Sequence, residues 1–161
     1  MSNESASEAP TVFISYSHDS AEHKEWVKEL GRMLCENGVD VILDSFELLG
    51  GQDTPDYMTN GIQRSDRVLC ICTDRYIQRA EEGEGGVGFE GMVITKELVE
   101  RARTDKFIPI IRNVKSEAKT PSFLGTKGWV NFSDDQDFVK QYDYLLRSIY
   151  RVSARSGCKT S

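Results

Sequence analysis

Five short apolar runs, nearly continuous rather than alternating, set the tightest limit on what this chain can fold into. Three are rich in β-branched residues: Thr11–Ser15 (TVFIS), Val39–Leu43 (VDVIL) and Arg67–Thr73 (RVLCICT). A fourth is Phe107–Ile111 (FIPII), and a weaker fifth is Trp129–Phe132 (WVNF). A strand with one face in water alternates apolar and polar residues. A strand that is apolar on both sides of its pleat needs cover on both faces, as in a parallel sheet. Helical patterns lie between these runs. From Ser20 to Asn37, residues Trp26, Leu30, Met33 and Leu34 recur three or four apart and make one apolar stripe. Asp19 or Ser20 suits its start, and Asn37-Gly38 suits a left-handed stop. Further helices are expected over Pro55–Gln63, with Asp53 or Thr54 as cap, over Phe89–Arg103 and over Asp134–Tyr150. Strands alternating with helices imply right-handed crossovers and a doubly wound α/β sheet. With five strands, the expected architecture is flavodoxin-like: a parallel sheet in the order 2-1-3-4-5, with helices on both faces.

The 161 residues suit one domain. Residues 11–151 are expected to form it, with a disordered leader at 1–10 (MSNESASEAP) and a flexible tail or linker at 152–161. Its 39% hydrophobic and 29% charged residues are enough to fill one core. A net charge of −6 argues against binding duplex nucleic acid, which needs a basic face to neutralise phosphates. It leaves room for a small anion held by backbone N–H groups. No secretory signal is visible, and no apolar run approaches the roughly 20 residues that span a bilayer. The chain therefore reads as soluble and cytoplasmic. Cys70 and Cys72 alternate in an apolar strand, a poor arrangement for zinc or a disulfide, so they read as reduced buried thiols.

Ligands of open parallel sheets bind beyond the carboxyl ends of the strands, near the point where strand order reverses. That rule selects the loops after the first strand (Tyr16–Asp19), the second (Asp44–Thr54) and the third (Asp74–Phe89). The third is long for such a connection, and long loops in compact domains are often functional.

The residues at these loops resemble a known family. Val12-Phe13-Ile14-Ser15-Tyr16-Ser17 resembles the opening strand of Toll/interleukin-1 receptor (TIR) domains and their SEFIR relatives. Leu43-Asp44-Ser45-Phe46-Glu47-Leu48-Leu49-Gly50-Gly51 resembles the second strand and the BB loop after it. His23-Lys24-Glu25-Trp26-Val27 and Gly85-Gly86-Val87-Gly88-Phe89-Glu90 look like the prokaryotic, SEFIR-like branch. The likeness covers about Thr11 to Arg151. It implies one of two activities: a self-associating adaptor, or an enzyme that cleaves NAD+ between ribose and nicotinamide, often in antiphage defence.

That cleavage makes a ribosyl cation as nicotinamide leaves. The leaving group is already cationic in NAD+, so no acid has to protonate it. One carboxylate that stabilises the cation, or holds the ribose hydroxyls, can suffice, and no metal or cofactor is required. The resemblance places the catalytic glutamate on the helix after the third strand. Lys96-Glu97-Leu98-Val99 matches the family's segment at Glu97, and Glu90 is the second choice. At about 100° per residue the two share a helix face. By spacing alone, Glu97 and Arg101 are equally a surface i, i+4 pair. Several enzymatic relatives carry an aromatic four residues before the glutamate; here that position is Val93, and Phe89, Tyr76 or Tyr16 would have to supply stacking.

Ser15, Tyr16 and Ser17 offer hydroxyls for ribose or phosphate, or simply cap the strand end. Asp44 could take ribose hydroxyls or cap its own loop. Gly50-Gly51 and Gly85-Gly86 either bare backbone N–H groups to a pyrophosphate or permit turns. Phe46, Leu48 and Leu49 form an apolar tip on the expected BB loop. In relatives that loop mediates head-to-tail contacts, which need not close and can run on into filaments. Self-association, a sensor domain or a partner protein would then gate activity. A receiver-domain reading fails on residues, because Cys72-Thr73 stand where a phosphoacceptor aspartate is expected. A nucleoside deoxyribosyltransferase shares the single-carboxylate logic, but the BB-loop resemblance argues against it. The leading expectation is an NAD+ glycohydrolase, with a non-catalytic interaction scaffold as the alternative.

Overall fold

The computed structural model describes residues 9–43, 61–82, 106–115, 117, 119–121 and 128–157, with the backbone alone for 151–157. Five strands, β1 (Thr11–Ser15), β2 (Asp40–Ile42), β3 (Arg67–Cys72), β4 (Phe107–Ile111) and β5 (Val130–Asn131), form one sheet in the order β2-β1-β3-β4-β5. Every pairing is parallel. The expected order and architecture are therefore present. The outer strands are shorter than their apolar runs.

Pro109 in β4 lies at a telling position. Arg112 N–H reaches the Cys72 carbonyl at 2.9 Å, while the Ile111 carbonyl accepts from Phe132 N–H at 2.8 Å. Backbone groups of even residues in β4 thus face β3, and those of odd residues face β5. Pro109 is odd, and β5 pairs only with Ile110 and Ile111. Its missing N–H falls on the side where β5 has not yet begun, so no ladder bond is lost.

Helix α1 (Ala21–Glu36) starts where Ser20 Oγ accepts from His23 N–H at 3.1 Å. It stops at Asn37, and Gly38 follows at φ +88°. Against this face of the sheet pack Val27, Leu30 and Leu34 of α1 and Leu145 and Ile149 of α3 (Phe138–Gly157), the last helix. A short 3-10 turn, Asp135–Asp137, precedes α3, which runs past the expected end at Tyr150 to Gly157.

The other face carries Phe13, Val68, Cys70 and Cys72, covered by a helical turn at 61–64 and by helix α2 (Asp74–Glu82). Gly61 is required there, because an added Cβ would stand 2.6 Å from Phe13 Cδ1. Lys106 Nζ donates to the carbonyls of Ile62 and Ser65, both at 2.9 Å, and so closes the end of that turn.

Helix α2 corrects the expectation of a long loop from Asp74. Thr73 Oγ1 accepts Tyr76 N–H at 3.1 Å, and Asp74 adds negative charge in the first turn. Tyr76, Ile77 and Ala80 are its buried residues. The expected helix over Pro55–Gln63 meets the described residues only at its end, and that over Phe89–Arg103 lies outside them. Among the described residues no helix is long and apolar enough to cross a membrane.

Candidate functional site

Above the carboxyl ends of β1, β3 and β4 lies an open cleft of about 400 Å³. It sits beside the reversal in strand order, which falls between β1 and β3. Asp19, Ser20, Glu22 and His23 supply the wall from β1 and the start of α1. Thr73 and Asp74 come from the end of β3, and Arg112, Asn113 and Lys115 from the segment after β4.

Each side chain has a definite support. Ser17 is fully buried; its hydroxyl donates to the Asp19 carboxylate and lies 3.4 Å from Thr73 Oγ1. Asp19 is thereby anchored to the sheet end. The Asp74 carboxylate receives Lys115 N–H through both oxygens at 3.2 Å, which ties the post-β4 segment to α2. Asn113 takes a left-handed conformation at φ 54°, and its N–H donates to Ser133 Oγ at 2.7 Å.

Arg112 is held from several sides. Its guanidinium carbon lies 4.2 Å from the centre of the Trp26 ring, and NH1 donates to the Phe132 carbonyl at 2.7 Å. Asp135 adds a longer ion pair at 3.6 Å. Behind Arg112 the rings continue: Trp26 meets Phe132 edge-on at 5.5 Å, Phe132 meets Phe138 at 5.0 Å, and Phe138 stacks on Tyr142 at 5.8 Å.

His23 lies parallel to Trp26, with ring centres 6.5 Å apart. It is buried, and its Nε2 is enclosed without a hydrogen-bond partner. Burial pulls its pKa below the ordinary 6.5; Asp19 opposes that shift, while Arg112 and His18 add to it. The imidazole is thus neutral at neutral pH.

The residues expected from the sequence divide into two groups. Ser15, Tyr16, Ser17 and Tyr76 are described, and all are buried. Ser15 Oγ and the Tyr76 hydroxyl share a hydrogen bond of 2.8 Å within the core, on the face opposite α1. In this conformation neither offers surface to a ligand. Tyr16 packs under the cleft against His18 and His23, at 5.1 and 6.2 Å between ring centres. Glu97, Glu90, Phe89, Val93, Asp44 and the loop residues Phe46, Leu48, Leu49, Gly50 and Gly51 lie outside the described residues. Cys35, Cys70 and Cys72 are free thiols, and burial pushes Cys70 up to about 12, so it is inert.

His23, Arg112, Asn113 and Lys115 were not singled out as site residues from the sequence. The rule on strand ends would have found the last three, had it been carried on to the fourth strand. For His23 the signal was weaker, being one turn into an otherwise ordinary helix.

A cleft at the switch point of a five-stranded parallel sheet marks a flavodoxin-like α/β domain with an open site at its strand ends. The TIR domain family model matches residues 12–146. A solved prokaryotic SEFIR domain is 38% identical, with 88% of this chain and 93% of that one covered and a TM-score of 0.79. The chain belongs to the TIR domain family, in its prokaryotic SEFIR-like branch. The TIR domain of the Toll-related receptor TRR-2 from Hydra magnipapillata shares the fold at 17% identity and TM-score 0.61, covering 86% of this chain and 96% of that one. The SEFIR domain of interleukin-17 receptor B does so at 10% identity and TM-score 0.52, covering 88% and 98%. Comparison with curated protein sequences gives no match.

Proposed function

We infer that this domain is an NAD+ glycohydrolase that breaks the ribose–nicotinamide bond and is switched on by self-association in bacterial, antiphage-type defence signalling. The observation that carries the reading is the open cleft at the strand-order reversal of a TIR-family sheet. Glu97 is the catalytic residue in this reading: its carboxylate stabilises the ribosyl cation as neutral nicotinamide departs, and water then takes the cation. NAD+ is the substrate, and no metal or further cofactor takes part. Phe46, Leu48 and Leu49 of the BB loop make the contact between copies, to which a sensor domain or partner protein adds. The reaction is placed in the cytoplasm, in keeping with free thiols at Cys35, Cys70 and Cys72.

One observation favours the scaffold reading. Val93 occupies the position where several enzymatic relatives carry a stacking aromatic. A scaffold needs only the loop and helix surfaces, and leaves Glu97 incidental.

The test is nicotinamide release from NAD+ at high protein concentration with a crowding agent. Glu97→Gln should lower turnover by about 100-fold or more with folding intact. Glu90→Gln should leave most of it. Loss confined to Glu90→Gln would move the site, and no release from the wild-type assembly would favour the scaffold.

A further inference from the structure

The cleft is polar in two different senses. On the β4 side stand Arg112, held over the Trp26 ring with donors to spare, and Lys115, whose exposed ammonium has no partner among the described residues. On the β1 side stand Asp19 and Glu22, at the mouth of α1, while the third carboxylate of the lining, Asp74, is already taken up by Lys115 N–H through both oxygens. Between them His23 presents a ring whose Nε2 has no hydrogen-bond partner, a condition that costs about 1–3 kcal/mol for a buried polar atom. Buried polar groups in folded proteins are nearly always satisfied, so an orphan nitrogen on a residue that lines an open cleft points to a missing partner there.

A simple anion would suit Arg112 and Lys115 but would meet Asp19 and Glu22. A simple cation would meet the reverse. A ligand with a phosphate at one end and hydroxyls at the other satisfies both sides: the guanidinium and ammonium take the phosphate, and the carboxylates accept from the hydroxyls. We propose that the β1–β4 cleft is a subsite for a sugar phosphate, with the phosphate held by Arg112 and Lys115 and the sugar hydroxyls directed toward Asp19 and His23. This rests on the NAD+ reading in one respect: it makes the bound group the ribose-phosphate part of the substrate. The polarity then fixes direction. The phosphate lies toward β4, and the ribose lies toward the end of β1.

The probe is ribose 5-phosphate, titrated into the full chain while Trp26 emission is followed in a Trp129→Phe background. Trp26 touches both Arg112 and His23, so a ligand on either side should alter its signal. Inorganic phosphate and free ribose serve as separate titrants. The wild type should bind ribose 5-phosphate saturably and more tightly than either part. Lys115→Ala, which removes no packing, and Arg112→Lys, which keeps charge but loses the fork, should each weaken it about tenfold. Circular dichroism should confirm that both variants are folded.

Equal affinity for inorganic phosphate would overturn the sugar half of the proposal. Absence of saturable binding, or affinity unchanged in both variants, would overturn all of it. Nicotinamide release from the same samples separates the two readings. Turnover without ribose 5-phosphate binding defeats the subsite alone, and binding sensitive to Lys115→Ala without turnover defeats the enzyme alone.

Discussion

The two faces of the sheet are built on different principles. The face under α1 and α3 is filled by aliphatic side chains and a line of rings, Trp26, Phe132, Phe138 and Tyr142. The face under the 61–64 turn and α2 is also largely aliphatic, with Phe13 and Phe107, but it encloses polar atoms. Two thiols and a tyrosine hydroxyl lie inside it, and the hydroxyl is shared between Ser15 and Cys70. The first face gains stability from apolar area, which is forgiving of direction. The second depends on hydrogen bonds being made, because a buried hydroxyl without a partner is penalised. The ring line also ends beneath Arg112 and His23, so the aromatic face is the one whose packing positions the cleft.

The largest effect should come from truncating the aromatic face at its centre. Phe132→Ala removes a ring that is 1% exposed, and should cost about 3–5 kcal/mol. The denaturation midpoint measures it. A loss no larger than that of any single change on the opposite face would erase the distinction drawn between the two.

On the thiol face, Tyr76→Phe keeps the ring and strips the hydroxyl, and should cost about 1–2 kcal/mol. Adding Ser15→Ala should cost less than the sum of the separate changes, because the two groups share one bond. Strict additivity in that cycle would mean that the hydrogen bond contributes nothing.

The smallest effect belongs to pH, and tests the seam between the faces and the cleft. His23 is harder to protonate in the folded chain than in the unfolded one, whose value is near 6.5. As pH falls below that value the unfolded chain takes up the proton first, so stability declines until the folded imidazole also titrates. Asp19, His18 and Arg112 face the ring electrostatically, and Tyr16 and Trp26 flank it. Thermal melts between pH 7.5 and 5.5 should show the wild type losing more stability than His23→Gln, by less than about 1.4 kcal/mol per pH unit. Parallel curves would remove His23 from the account of this seam.

What could be read in advance follows the same division. β1 and β4 were legible to the residue, because runs such as TVFIS and FIPII are buried on both sides and carry the signal alone. Helix α2 was not. Only Tyr76, Ile77 and Ala80 are buried in it, and its polar remainder runs into the acidic-glycine stretch, so it looked like loop. The strand-end rule placed the cleft next to β1 and β3 correctly. It did not reach Arg112 and Lys115, which join the site only because β4 lies beside β3 in the sheet. The spacing of residues along the chain carries no record of that neighbour. Glu97 rests on resemblance, and its place relative to the cleft is left to the nicotinamide assay.

The shortness of the outer strands has a consequence for how copies of this domain can meet. β2 offers three residues and β5 two, and ahead of the start of β5 the side of β4 that faces it carries the buried Pro109, which has no N–H to give. An incoming strand from another molecule would find almost no ladder to extend at either border. Copies that associate would therefore have to join through loops and helices. A contact of that kind leaves each domain's own sheet intact and does not propagate as a continuous cross-strand fibre.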